Sequence, residues 1–250
     1  MTPKISINIV SYNRADYLKQ ALDSVLAQDF SNWEIIFIDD ASTDDTAEIV
    51  EPYLGDLRIK YFRNERNMGI GFSRNRALQE SRGEFIAVLD SDDYWLSASK
   101  LREQLSFLDD HPETIAIGTS AIKVDEHNAK VGEIISPTEN IKKSILWKNP
   151  IIHSSALYRK EPALSVGGYE KDVDLAEDYG LWLRLGTSGK LANLPGQYIA
   201  YRVHQGNIST AKRRALIARH FSLLKKYRAE YPGYYSALLK RSLQFLRTSI

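Results

Sequence analysis

The first hundred residues alternate between two hydrophobic periods. The β-branched run Ile5–Val10 predicts a short buried strand, and apolar residues at helical spacing from Tyr17 to Leu26 predict a helix after it. The alternation repeats, with predicted strands and helices in turn at Glu34–Ile38, Ala47–Val50, Arg58–Arg63, Gly71–Ser81 and Glu84–Leu89. Strands that alternate with helices are typical of an α/β fold, with a mostly parallel sheet flanked by helices.

The pattern changes after about residue 110. Four strands and two short helices are predicted there, at Thr114–Val124, Val131–Ile135, Ile141–Trp147, His153–Tyr158, Tyr179–Leu185 and Tyr198–Val203. From Ala211 onward the pattern is helical, with a break near Pro232. We therefore expect one α/β domain with two halves, residues 1–110 and 111–210, and a helical C-terminal extension, residues 211–250.

Polar residues follow three of the predicted strands. Ser11–Arg14 comes after the first strand, Asp39 and Asp40 end the second, and Asp90–Asp93 follows the fourth. In open α/β sheets, ligands bind outside the carboxyl ends of the strands. The sequence therefore predicts that these side chains lie at one edge of the sheet.

The segment Asp90-Ser91-Asp92-Asp93 places three carboxylates within four residues. Such carboxylates repel one another unless cations or water separate them. Mg²⁺ and Mn²⁺ prefer oxygen ligands, and typically use one or two carboxylates together with substrate phosphates. The alternative interpretation is an acidic turn that caps the next helix.

Three further segments contain candidate site residues. Asp40 leaves a strand and is predicted to contact a ligand, whereas Asp44 and Asp45 are better explained as helix caps. Arg74 lies in the glycine-rich entry to a helix, Asn67–Asn75, which could meet a phosphate or form an ordinary loop. Glu177 and Asp178 lie at the predicted start of a helix. They could cap the helix, or one of them could act as a general base. His204 could bind a metal or phosphate, or be structural, and His153 is a weaker candidate.

Taken together, these segments resemble family-2 glycosyltransferases, which are inverting enzymes of the GT-A fold. The resemblance covers residues 3–210 and includes an Asp-x-Asp motif at Asp90-Ser91-Asp92. The other matching segments, in the family's order, are Val10–Arg14, Ile38–Asp44, Asn67–Gly69 with Arg74 and Asn75, Gly83-Glu84, Glu177-Asp178 and Tyr201–His204. A Q-x-x-R-W segment of processive polymerases is absent, which favours transfer of one or a few sugars.

The resemblance implies a Rossmann-like GT-A domain that binds a nucleotide sugar in its first half and the acceptor in its second. Asp178 would be the catalytic base, and Asp92, Asp93 and His204 would be candidate ligands of Mn²⁺ or Mg²⁺. The acceptor side would include Glu177 as support, His153 and Trp182. The resemblance favours UDP as the nucleotide, and dTDP and GDP stay open. The nucleotide would be bound by Val10, Tyr12, Arg14, Asp40, Asn67, Arg74, Asp90 and Ser91.

The composition of the chain excludes several kinds of site and indicates a cellular compartment. The 250 residues include no cysteine, which excludes disulfides, thiolate zinc sites and cysteine nucleophiles. The N-terminal segment is too interrupted for a signal peptide, and no apolar run approaches the ~20 residues that span a bilayer. We therefore expect a cytoplasmic protein, with peripheral contact at the inner face of the cell membrane as an option.

The C-terminal extension is strongly basic. Residues 211–250 contain ten Lys and Arg and one Glu, a net charge of +9, so the other 210 residues carry −8 of the total of +1. A basic amphipathic segment can lie on an anionic membrane. The alternative, which we favour slightly, is a helical pair packed on the catalytic domain with its charges solvated.

Two other functions fit parts of the sequence. A metal-dependent nucleotidyltransferase would share the parallel sheet and the acidic site, but its usual glycine-rich basic loop is missing after the first strand. A non-catalytic protein could bind a membrane or nucleic acid through the basic extension. The acidic body argues against extensive nucleic-acid contact. We therefore expect a nucleotide-sugar donor, a carbohydrate or lipid-linked glycan acceptor, and no nucleic acid.

Overall fold

The structure, a computed structural model, describes residues 2–170, 175–206 and 212–247. Its first part alternates strands and helices as predicted: β1 (Ile5–Ser11), α1 (Ala15–Leu26), β2 (Trp33–Asp39), α2 (Thr46–Val50), a 3-10 turn (Glu51–Gly55), β3 (Ile59–Arg63), α3 (Ile70–Glu80) and β4 (Phe85–Asp90).

The second part is less regular. It contains β5 (Tyr94–Trp95), α4 (Lys100–Asp110), β6 (Thr114–Val124), β7 (Lys130–Ile134), α5 (Ile141–Ser144), a 3-10 turn (His153–Ser155), β8 (Leu157–Arg159), α6 (Lys160–Ser165), α7 (Glu177–Ser188), β9 (Lys190–Arg202), α8 (Arg213–Lys226) and α9 (Tyr234–Arg247).

The strands form one mixed sheet in the order β3-β2-β1-β4-β8-β6-β9-β5, with β7 paired to β6. The pairs within β1 to β4 are all parallel, as predicted. In the second half only β6 and β9 are parallel, while β8, β7 and β5 pair antiparallel with their neighbours. The α/β class is confirmed, but the parallel character is confined largely to the first half.

Alternating residues of the central strands enter different hydrophobic clusters, so both faces of the sheet are covered. In β4, Phe85 and Leu89 pack in a cluster with α1 and α4, whereas Ile86 and Val88 pack in a cluster with α3 and α7. Side chains of a strand alternate between faces. A strand buried on both faces reads as a continuous apolar run, which explains the sequence of β4.

The register aligns the carboxyl ends of three strands. Val10 of β1 lies opposite Ile38 of β2 on one side and Asp90 of β4 on the other. The residues that follow, Ser11 to Arg14 and Asp90 to Asp93, therefore leave the sheet at the same edge. This confirms the predicted convergence of the polar segments after β1 and β4.

Several local predictions were incomplete. The predicted strand at His153–Tyr158 begins only at Leu157, because Ser155 donates both its backbone N–H and its hydroxyl to the Ile152 carbonyl and closes a 3-10 turn. Such side-chain bonds to the backbone compete with strand pairing. Helix α4 was not predicted, although Leu101, Leu105 and Leu108 have helical spacing and are buried.

The C-terminal helices pack on the catalytic domain. Leu223 and Leu224 of α8 and Ala237 of α9 share a cluster with Leu183 of α7 and Ile145 after α5. The packed helical pair that the sequence favoured is therefore present. None of the helices in the described ranges combines the length and hydrophobicity that crossing a bilayer requires.

Candidate active site

A cleft of about 820 Å³ opens at the edge of the sheet where β1 and β4 end. Its walls come from the loops after these strands, the start of α3, the 147–153 segment, the start of α7, and helices α8 and α9. The predicted site residues that line it are Val10, Tyr12, Arg14, Arg74, Asp90, Ser91, Asp92, Asp93, His153, Glu177 and Asp178.

Arg74 lies between two carboxylates at the centre of the site. Its guanidinium donates to Asp90 Oδ1 at 2.6 Å and to Glu177 Oε1. Burial alone would lower the pKa of Arg74, but the charges of Asp90 and Glu177 outweigh it and raise the pKa further. The cation therefore joins α3, β4 and α7 at one point.

Asp90 is held by three neighbours. In addition to Arg74, its carboxylate contacts His153 Nδ1 at 2.9 Å, and its Oδ2 lies 3.2 Å from Ser154 Oγ. Burial raises the pKa of Asp90, but the charges of Arg74 and His153 lower it more, so the net pKa lies well below its ordinary value. Asp90 is therefore ionised and already contacts protein groups.

Asp93 is also engaged within the protein. One carboxylate oxygen accepts the backbone N–H of Arg202 at 2.8 Å and the other accepts the Ser154 hydroxyl. Burial and the neighbouring charges of Asp92 and Asp90 raise its pKa well above the ordinary value. These contacts join the loop after β4 to β9, and they leave neither oxygen of Asp93 without a protein partner.

Asp92 and His204 form a pair beside this group. His204 Nε2 lies 2.9 Å from Asp92 Oδ2, and Arg14 Nε lies 3.6 Å from the same oxygen. Among the described residues, no group of three or more His, Asp or Glu side chains is placed to hold a metal ion by itself. A carboxylate and an imidazole are nevertheless suitable donors when substrate phosphates supply the remaining ligands.

Asp178 faces the cleft from the first turn of α7. The preceding residue, Ala176, has a left-handed backbone with φ of 55°, which directs the chain into the helix. One carboxylate oxygen of Asp178 accepts a hydrogen bond from Asn149 Nδ2 at 2.7 Å. The positive end of the helix dipole stabilises the carboxylate at this position. Asn149 was not identified from the sequence, because no local motif marks it.

Several predicted site residues are placed elsewhere. Within the described part of the chain, the cleft wall does not include Asp40, Asn67, His204 or Trp182. The Asp40 carboxylate is buried and accepts hydrogen bonds from Asn64 Nδ2, Met68 N and Gly69 N, at 2.6, 2.8 and 3.0 Å.

Each of these residues has a specific structural setting. Asp40 shapes the loop that leads into α3, and Asn67, which accepts the Gly69 N–H at 3.1 Å, belongs to the same loop. His204 is connected to the cleft by its Nε2, which lies 2.9 Å from Oδ2 of the cleft residue Asp92. Trp182 is fully buried, with its ring centroid 6.3 Å from that of His153.

The opposite side of the cleft was largely missed by sequence analysis. The residues that line it are Lys148, Lys240, Arg241, His220 and Trp147. We call Lys148, Lys240 and Arg241 the cationic wall. The sequence showed these cations only as part of a general positive charge, because nothing local indicates that α9 folds back beside residue 147.

Comparison with known proteins decides the family. The family model described as Glycosyl transferase family 2 matches residues 6–166, more than half of the chain. The chain belongs to glycosyltransferase family 2. A relative from Escherichia coli, named UDP-Glc:alpha-D-GlcNAc-diphosphoundecaprenol beta-1,3-glucosyltransferase WfaP, is 34% identical over 88% of this chain and 85% of its own length. The putative teichuronic acid biosynthesis glycosyltransferase TuaG of Bacillus subtilis is 31% identical over 85% of this chain and 84% of its own length.

Solved structures confirm the GT-A fold of this family-2 glycosyltransferase. S. aureus TarS in complex with UDP-GlcNAc matches with a TM-score of 0.72 and 23% identity over 88% of this chain, which spans 66% of the TarS chain. The mannosyltransferase PcManGT from Pyrobaculum calidifontis, in complex with GDP-Man and Mn²⁺, matches with a TM-score of 0.74 and 18% identity over 97% of this chain and 69% of its own. The comparisons support neither a nucleotidyltransferase nor a non-catalytic binding protein.

Proposed function

We propose that this glycosyltransferase moves a sugar from a UDP-sugar to a hydroxyl of a lipid-linked glycan acceptor, with inversion at the anomeric carbon. The observation that carries the proposal is that one cleft holds both the Asp90–Asp93 segment and Asp178. Its donor and acceptor classes follow those in the name of the E. coli relative, and TarS was solved with UDP-GlcNAc. The product would enter cell-envelope polysaccharide synthesis.

The nucleotide would occupy the side of the cleft formed by the strand ends. Val10 and Tyr12 would contact the base, with the half-exposed Tyr12 ring available for stacking, and Asp90 and Ser91 would lie near the ribose. Arg14 and Arg74 would support the diphosphate. Asp40 and Asn67 would contribute indirectly, by shaping the loop that leads into α3.

A divalent metal, Mn²⁺ or Mg²⁺, fits the donor set of this site. Asp92 and His204 would hold it in place of the contact that now joins His204 Nε2 to Asp92 Oδ2. Asp90 and Asp93 are less suitable, because protein groups contact both oxygens of each carboxylate. When bound, such an ion neutralises charge on the diphosphate oxygens. Arg14, which approaches the same Asp92 carboxylate, would add a fixed positive charge on that side.

Asp178 would act as the general base. Its carboxylate lines the cleft, and Asn149 holds one of its oxygens, which leaves the other for the acceptor hydroxyl. As Asp178 takes the proton, the acceptor oxygen bonds to the anomeric carbon and the bond to the diphosphate breaks. A single displacement from the opposite face inverts the configuration. Glu177 would act as a positioning residue through Arg74.

Titration with sugar nucleotides tests the proposal. We expect UDP-glucose or UDP-GlcNAc to raise the melting temperature in Mn²⁺ or Mg²⁺ and to do so much less in excess chelator, because a ligand of the native state stabilises it by mass action. Asp92→Asn should weaken the effect of the metal, whereas the exposed Asp110→Asn should not. Equal stabilisation with and without chelator would refute the metal assignment, and no response to any nucleotide sugar would refute the donor class.

Helix α9 would contact the membrane that carries the acceptor. Its outer face exposes Tyr235, Leu239, Leu243 and Leu246, at 83, 63, 50 and 63%, and their spacing of four, four and three residues places them on one stripe. Helices α8 and α9 together carry eight Lys and Arg and no acidic residue. An exposed apolar stripe with basic neighbours is suited to the surface of an anionic bilayer.

A further inference from the structure

The cationic wall lacks a carboxylate partner among the residues that the structure describes. Within residues 2–170, 175–206 and 212–247, no Asp or Glu oxygen forms an ion pair with Lys148, Lys240 or Arg241. Lys240 Nζ and Arg241 Nη2 instead donate to the Trp147 carbonyl at 3.1 and 3.4 Å, and Lys148 Nζ donates to the Ile135 carbonyl. Carbonyl dipoles satisfy hydrogen bonds but leave the net positive charge in place.

The arrangement is electrostatically unfavourable as it stands. Burial, followed by the nearby charges of Arg241 and Lys148, lowers the pKa of Lys240. Arg241 is 9% exposed, and its Nε is buried without a hydrogen-bond partner, although the side chain lines the cleft. A bound anion would relieve the repulsion between these cations.

The surroundings of the cationic wall select the kind of anion. Trp147 is 43% exposed, and Lys240 Nζ lies 4.4 Å from the centroid of its ring. Ile151 and Leu216 also line this side of the cleft. The next turns of α9 carry the exposed apolar stripe. A ligand for this side therefore combines phosphate charge with a hydrocarbon chain.

The cationic wall is also connected to the proposed base. Asn149, which follows Lys148 directly, donates to the Asp178 carboxylate at 2.7 Å. The donor-side diphosphate groups, Arg14 and Arg74, come from other elements, the loop after β1 and helix α3. A phosphate at the cationic wall would thus lie on the acceptor side, with the sugar attached to it directed toward Asp178.

We propose that Lys148, Lys240 and Arg241 form a subsite for the diphosphate of a prenyl-diphosphate-linked acceptor. The inference rests on the proposed function and deepens it, because it assigns the acceptor's phosphate groups to named residues. The hydrocarbon chain leaves the subsite past Trp147 toward the stripe on α9. Recognition of the diphosphate makes the enzyme discriminate against neutral glycosides of the same sugar.

Steady-state kinetics with two acceptors test the subsite. Lys240→Gln keeps most of the length and a hydrogen-bond donor but removes the charge, and exposed Lys225→Gln on α8 is the matched control. We expect Lys240→Gln to raise the ratio of KM for a prenyl-diphosphate-linked sugar to KM for the neutral alkyl glycoside about tenfold, as loss of a charged hydrogen bond predicts. Lys225→Gln should leave the ratio unchanged. An unchanged ratio in Lys240→Gln, or a rise in donor KM alone, would overturn the assignment.

Direct binding separates this inference from the proposed function. With the donor site saturated by UDP and Mn²⁺, calorimetry with farnesyl diphosphate should show a second site in the wild type and about tenfold weaker binding in Lys240→Gln. Farnesyl diphosphate that does not bind beside UDP, or binds both proteins equally, would refute the subsite. Failure of UDP itself to bind would refute the proposed donor instead, and the comparison of the two proteins for farnesyl diphosphate would still report on the cationic wall.

Discussion

On the sheet side of the cleft, the Arg74 guanidinium lies between the carboxylates of Asp90 and Glu177 and forms an ion pair with each. On the helical side, Lys240 and Arg241 contact carbonyl and amide oxygens but form no ion pair within the described residues. The first arrangement pairs its cation with carboxylates of the protein itself. In the second arrangement, a bound anion would offset the repulsion between the cations.

The difference in charge pairing indicates that the two sides of the cleft have different roles. Paired charges fix side chains in place, so the sheet side is preorganised before a ligand binds. Unpaired cations are costly until a ligand arrives, so the helical side suits recognition of one particular acceptor. Asp178 lies between the two sides, where its helix and Asn149 hold it.

The largest expected effect concerns Asp178, the proposed general base. Asp178→Asn keeps the shape and removes the proton acceptor, so we expect the transfer rate to fall by about 10²–10⁴-fold. UDP affinity, measured by calorimetry, should change little, because the sheet side remains intact. A loss of UDP affinity as large as the loss of rate would place Asp178 on the donor side instead.

Breaking the paired arrangement should cost stability. Arg74→Met leaves the Asp90 and Glu177 carboxylates without their cation, and removal of one partner from a buried pair typically costs about 3–5 kcal/mol. Urea denaturation should show this decrease in the free energy of unfolding, whereas the exposed Arg66→Met should change it little. A decrease below about 1 kcal/mol would mean that water or neutralised carboxylates replace Arg74 readily.

The helical side should respond to acid. Burial, and then the charge of Arg241, lowers the pKa of His220 to about 3, and its Nδ1 has no hydrogen-bond partner. The unfolded chain therefore takes up a proton below about pH 6.5 that the folded protein excludes until about pH 3. Stability should fall as pH decreases through this window, by up to about 1.4 kcal/mol per pH unit.

His220→Asn should remove this contribution to the slope of unfolding free energy against pH, and the exposed His127→Asn should not. An unchanged slope in His220→Asn would show that His220 titrates normally. The positive field on the helical side would then be weaker than the arrangement of Arg241 and Lys240 implies.

The smallest expected effect concerns the outer face of α9. Leu239→Ser combined with Leu246→Ser should reduce flotation with anionic vesicles several-fold, since each exposed leucine contributes part of the ~1.5–3 kcal/mol of a fully buried one. The matched control is Leu57→Ser, which is 83% exposed but lies outside the C-terminal helices. Equal flotation of both proteins, or none by the wild type, would contradict membrane contact through α9.

Much of the sheet side could be predicted from the sequence. The buried runs of β1, β2 and β4 and the polar residues after them are local patterns, and parallel strands must end at a common edge. Individual contacts were less predictable. Asp40 follows β2 as expected, yet its carboxylate accepts hydrogen bonds from the Asn64 side chain and from the backbone N–H groups of Met68 and Gly69. These contacts depend on how the 64–69 loop folds.

The sequence by itself determined the family, the alternation of strands and helices in the first half and the segments that bring carboxylates to the cleft, because these depend on periodicity and on residues close together in the chain. Only the tertiary structure decided that Arg74 pairs Asp90 with Glu177, which is 103 residues away, and that Lys240 meets Trp147 across 93 residues. Hydrophobic burial folds α9 onto the domain without any local motif, since the effect is non-directional and depends on the whole packed surface. The charge pattern of the helical side is therefore a property of the fold.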